Sequence, residues 1–85
     1  MATRRPATAA RIVRNPDVLN GEPIISGTRI SVRSVVLVWR ESGGEPGVLD
    51  AYPRLTPQDV QDALAFYRTH QAEIDRHIQA NLAED

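Results

Sequence analysis

Four groupings in this chain carry side chains of the right type for chemistry. Asp59 and Asp62 stand three residues apart, on one face of any helix that contains them. Paired carboxylates can do acid–base work or hold a metal ion. They can also do no more than stabilise the positive end of a helix dipole. His70, Glu73 and His77 share a helix side and are zinc-ligating types. The two histidines lack the i, i+4 spacing of a metallohydrolase, and the stretch is polar throughout, as a solvated face would be. Ser26-Gly27-Thr28 places hydroxyls in a turn without the flanking glycines of a nucleophile elbow. Gly43-Gly44 is followed by no phosphate-loop lysine. None of the four completes a catalytic pattern, so the expectation is a protein without enzymatic activity, cofactor or metal.

The absent residue types narrow the chemistry further. Cysteine is missing, which excludes a disulfide scaffold, a thiol nucleophile and cysteine-ligated zinc. All ten basic residues are arginine, so there is no Schiff-base lysine either. Arginine is suited to holding phosphates and carboxylates through its planar fork. Residues 1–40 contain seven arginines against Asp17 and Glu22, whereas residues 41–85 contain three against nine acids. That asymmetry predicts two surfaces with different partners, or one half packing on the other half of a second copy.

The elements that must position these residues fit one small domain. The chain has 85 residues, 41% hydrophobic and 25% charged, as expected of a soluble globular domain. No apolar run approaches the roughly 18 residues of a membrane span. Residues 1–10 have little to pack and read as a disordered basic arm; a targeting segment would share their composition. Residues 11–14 and 23–25 are short strand candidates, separated by turn material at Asn15-Pro16-Asp17 and Asn20-Gly21. Ser31 is a helix N-cap, and Val32, Val35, Val36 and Trp39 recur at helical spacing, predicting a helix over 32–41. Leu37 and Val38 widen its apolar surface, which places this helix at the centre of the core or at an oligomer interface. Pro46 could open a short second helix running to Ala51, although Gly47 weakens it. Thr56-Pro57-Gln58-Asp59 is the clearest helix start. Val60, Ala63, Leu64, Tyr67, Ile74, Ile78 and Leu82 then keep helical spacing, so one helix over 57–80 is the simplest reading and a break near Thr69 the alternative.

Three helices in this order follow the plan of a helix-turn-helix domain. The start of the third helix would then present Arg54, Thr56, Gln58 and Gln61 to a major groove. Asp59 and Asp62 oppose phosphate on the same turns, so the positive charge must come from the first forty residues, chiefly Arg4, Arg5, Arg11, Arg14, Arg29 and Arg33.

Two blocks of the chain are distinctive. The first is Asn20-Gly21-Glu22-Pro23-Ile24-Ile25-Ser26-Gly27-Thr28-Arg29-Ile30-Ser31-Val32. The second is Tyr52-Pro53-Arg54-Leu55-Thr56-Pro57-Gln58-Asp59-Val60, followed by Ala63-Leu64-Ala65-Phe66-Tyr67. In that order they resemble the prokaryotic family filed as domain of unknown function 433, over about residues 12–68. Its pattern is G-x-P-x-I-x-G-T-R before one helix and Y-P-x-L-T before another. The resemblance implies a mainly α fold: a homeodomain-like three-helix core with a short N-terminal β element. It also implies an antitoxin of a type II toxin–antitoxin pair, with a PIN-like ribonuclease toxin as partner. The chain departs from the family pattern at Ser42-Gly43-Gly44-Glu45-Pro46-Gly47, which bears on the length of the second helix. In the family's G-T-R turn, Arg29 either braces the β element against the first helix, the favoured reading, or reaches phosphate.

The expectation is therefore a cytoplasmic, dimeric antitoxin that binds its toxin and operator DNA. The rival readings are an interaction module without DNA affinity and a stand-alone transcription regulator. Within it, residues 1–10 form the arm, 11–69 the antitoxin-like domain and 70–85 an acidic helical extension. Ile74, Ile78 and Leu82 on one stripe, with Glu73 and Asp75 beside them, are the residues expected to lie on the toxin. Packing of that stripe on the domain's own core is the alternative.

Overall fold

Local capping sets where the helices begin. The structure, a computed structural model, describes residues 11–83, with side chains to Asn81. Helix α1 spans Val32–Ser42. Its N-cap is Ser31, whose hydroxyl accepts the Ser34 N–H at 3.0 Å. Gly43 ends it with a left-handed φ of 87° and donates its N–H to the Trp39 carbonyl. The β preference of four valines yields here to the cap and to burial, with Val32, Val35 and Val36 inside the core. Helix α2 covers Glu45–Ala51 with Pro46 in its first turn. Helix α3 covers Pro57–Thr69 behind a complete capping box: Thr56 accepts the Asp59 N–H, and the Asp59 carboxylate accepts the Thr56 N–H.

Strands β1 (Ile12–Arg14) and β2 (Pro23–Ile25) pair antiparallel, with Ile12 opposite Ile25 and Arg14 opposite Pro23. Their connection turns at Leu19–Gly21. Asn20 and Gly21 take the positive φ expected of them, but Leu19 does so as well, at 50°. After β2, Thr28 locks the next turn. Its hydroxyl donates to the Ile25 carbonyl at 2.8 Å and accepts the Ile30 N–H at 2.9 Å.

The fold is thus mainly helical, with a two-stranded antiparallel sheet, and a fourth helix corrects the simplest reading of the sequence. The helix expected over 57–80 is two helices, α3 and α4 (Gln71–Ala83). The break falls at His70, whose φ of −136° leaves the helical region. His70 stacks on Phe66 with ring centroids 3.9 Å apart, and its carbonyl accepts the Ile74 N–H. The redirected α4 delivers Ile74 (0% exposed) and Ile78 (4%) into the core with Val35, Val48, Val60 and Ala63. The stripe expected to lie on a toxin is therefore core at these two positions. Residues 71–83 likewise complete the one core rather than extend from it; the Leu82 side chain lies outside the described residues.

Helix α1 is apolar on most sides because it is central: it packs against α2, α3, α4 and β2. Among the described residues no helix is long and apolar enough to cross a membrane.

Candidate interaction site

The arginines expected on a DNA surface divide into three groups. Arg11, Arg14 and Arg33 are held by carboxylates of the same chain. The Arg11 guanidinium hydrogen-bonds Asp59, and its Nε lies 3.5 Å from Asp62 Oδ2. Asp59 and Asp62 are both buried, and Gln58 donates to Asp62 Oδ1 at 2.9 Å. The paired carboxylates are thus buried and turned onto Arg11, the residue before β1. Arg14 forms a two-point pair with Glu73, one arm at 2.9 Å, and lies over the Phe66 ring. That hydrogen bond, chiefly, lowers the Glu73 carboxyl to about 2, with His77 assisting. Arg33 pairs with Glu22 at 3.0 and 3.3 Å.

Arg29 and Arg54 form the second group. Both are exposed and have no hydrogen bond or ion pair to the described residues. The turn that carries Arg29 is held by Thr28, whose hydroxyl bonds Ile25 on one side and Ile30 on the other. Thr56, Gln58 and Gln61 are exposed at the start of α3, with Gln61 donating to Glu45 at 3.2 Å. Arg4 and Arg5, the third group, lie outside the described residues. Of the acidic residues assigned to a toxin, Glu73 is taken by Arg14, whereas Asp75 accepts the Tyr67 hydroxyl at 2.9 Å and is half exposed. His70, Glu73 and His77 do not converge: among the described residues no group of three such side chains could hold a metal.

The structure brings together a different set. Between the end of α1 and the outer face of α3 runs an open cleft with two adjoining lobes, about 350 and 180 Å³. Trp39, Leu64 and Arg68 line both lobes. Val36, Arg40, Tyr67 and Gln71 complete the larger lobe, and Glu45 and Gln61 the smaller. Arg40 donates to the Tyr67 hydroxyl at 2.7 Å and lies 5.6 Å from its ring centroid. The Tyr67 phenol is held above its ordinary value, first by its hydrogen bond to Asp75. Arg68 has no ion pair or hydrogen bond to the described residues. From the sequence, Trp39 and Tyr67 read only as members of core stripes. The available signal was on α3: Gln61, Leu64 and Arg68 fall at i, i+3 and i+7, a second face beside the buried one.

Comparison with known proteins agrees with the sequence blocks. No curated protein matches the chain. A solved structure, that of a DUF433 member protein from Anabaena variabilis ATCC 29413, is similar to it with a TM-score of 0.72 and 32% identity. The match covers 84% of this chain and 70% of that one. The family described as "Protein of unknown function (DUF433)" matches residues 12–67, the stretch from β1 to the last turns of α3, and the chain belongs to that family.

Proposed function

We propose that the chain is an antitoxin that binds and neutralises a PIN-like ribonuclease, with the Trp39 cleft as its contact surface. The observation that carries this reading is the cleft itself. A partly buried tryptophan, a tyrosine and two arginines around an open apolar floor have the composition of a protein-binding hot spot. The partner is the one that the antitoxin reading of the two sequence blocks implies. The test is co-expression with a PIN-like ribonuclease encoded beside this gene: growth should recover and the two chains should copurify. Continued growth arrest with no copurification would remove the reading.

Operator binding is the second reading, favoured by exposed Arg29 and Arg54 and by Thr56, Gln58 and Gln61 at the start of α3. It takes α1, short α2 and well-capped α3 as a homeodomain-like arrangement with α3 as the reading helix. The pairing of Arg11, Arg14 and Arg33 inside the molecule leaves this surface less positive than the sequence implies. A homodimer belongs to both readings. Its support is the outer edge of β1, which pairs with no strand other than β2 among the described residues, since α1 is already covered within one chain.

A further inference from the structure

We infer that the Trp39 cleft receives a segment of a partner protein that carries a bulky apolar side chain and, close to it, a carboxylate. The inference rests on the cleft being a protein-binding surface and adds what enters it. Trp39 and Leu64 form the floor shared by both lobes and give an apolar side chain its place. Arg68 stands at the same junction with no carboxylate partner among the described residues. Arg40 is only loosely paired, 3.8 Å from a half-exposed Asp75, while its other contact is the neutral Tyr67 hydroxyl. The larger lobe therefore presents two guanidinium groups and no lining acid. An incoming carboxylate there would complete two charge-assisted hydrogen bonds.

The charge at the edges decides between a protein segment and a nucleic acid. Aromatic rings beside arginines can also stack bases. A strand with a phosphate at every nucleotide, however, would run past Glu45 at the smaller lobe or Asp75 beside the larger. A single carboxylate set on the larger-lobe side of Arg68 faces a lining that contains no acid. A segment with its apolar residue over Trp39 satisfies the site without crossing an acidic rim.

Trp39 is the one tryptophan of the chain, so its fluorescence reports occupancy directly. A displayed library of random peptides is panned against the intact protein, and the enriched peptides are synthesised and titrated. The inference expects peptides that pair an aromatic or aliphatic residue with Asp or Glu and shift Trp39 emission. Arg68→Glu, at an exposed position, should weaken them about tenfold or more and turn the preference toward Lys or Arg. Trp39→Ala, checked for folding by circular dichroism, should abolish binding measured by calorimetry. Peptides without acids, unchanged affinity in Arg68→Glu, or a shift of Trp39 emission by oligouridylate but by no peptide would each overturn it. So would sedimentation showing a dimer that Arg68→Glu dissociates, because a second copy would then fill the cleft. Ribonuclease neutralisation that survives both substitutions sinks this inference and leaves the antitoxin reading standing. Peptide binding without neutralisation does the reverse.

Discussion

Arg11 illustrates what one residue can hold together. From the position just before β1 it balances two buried carboxylates on α3, the nearer one 48 positions away in sequence. Arg11→Ala strands both acids, and breaking a buried pair costs several kcal/mol; roughly 3 kcal/mol is expected here, since the guanidinium keeps some water. Urea denaturation measures it. The acid pair was legible in the sequence as a helix-face pattern, but its partner was not, because a contact that distant leaves no local periodicity. Glu73 gives a pH signature. Its carboxyl is lowered to about 2 by Arg14, so the stabilisation is complete above its unfolded value of 4.5 and is lost as pH falls through about 2. Thermal melts of Glu73→Gln should lack that part of the acid limb between about pH 4.5 and 2, while Tm near neutrality falls modestly. Gly47 reverses a sequence expectation. As a helix residue it is a weakness of about 1 kcal/mol. In the structure a Cβ there would overlap Ser42, whose hydroxyl is fixed by the Val38 and Gly44 carbonyls. Gly47→Ala is therefore expected to destabilise by about 1–3 kcal/mol rather than stabilise, read from the shift in Tm.

At the scale of elements, what was legible followed from interactions within a few residues. Ser31 and Thr56 caps act over three positions, so the starts of α1 and α3 could be read directly. So could both strands, bracketed by Asn, Gly and Pro. The break near Thr69 stood only as the alternative, because Ile74 and Ile78 fit a continued α3 stripe as well as a redirected helix. What separates the two is the space beside α1 that α4 fills. That placement makes α4 structural. Ile74→Ala should cost about 2–5 kcal/mol, the range for truncating a fully buried isoleucine. A chain ending at Thr69 should lose cooperative melting by circular dichroism. A shortened chain that melts as sharply as the full one would show α4 to be dispensable.

For the whole molecule, the charge asymmetry along the sequence is largely resolved inside one chain. Arg11 and Arg14 of the basic half meet Asp59, Asp62 and Glu73 of the acidic half, and Arg40 lies near Asp75. Composition revealed the imbalance, but not that the halves would neutralise each other in cis. Among the described residues, Arg29, Arg54 and Arg76 stay exposed without an ion pair, and the Trp39 cleft stays open. If operator DNA is bound, Arg29→Ala and Arg54→Ala should each flatten its salt dependence by about one unit of slope, measured by fluorescence anisotropy, whereas Arg33→Ala should not. The central claim, that the cleft serves a ribonuclease partner, is tested most directly by RNA cleavage. A PIN-like ribonuclease, taken from the neighbouring gene where that gene encodes one, is titrated with the intact protein and with Arg68→Glu. The account predicts full inhibition by the intact protein and at least about tenfold weaker inhibition by Arg68→Glu at unchanged helicity. Equal inhibition by both proteins, or cleavage untouched by either, would contradict it.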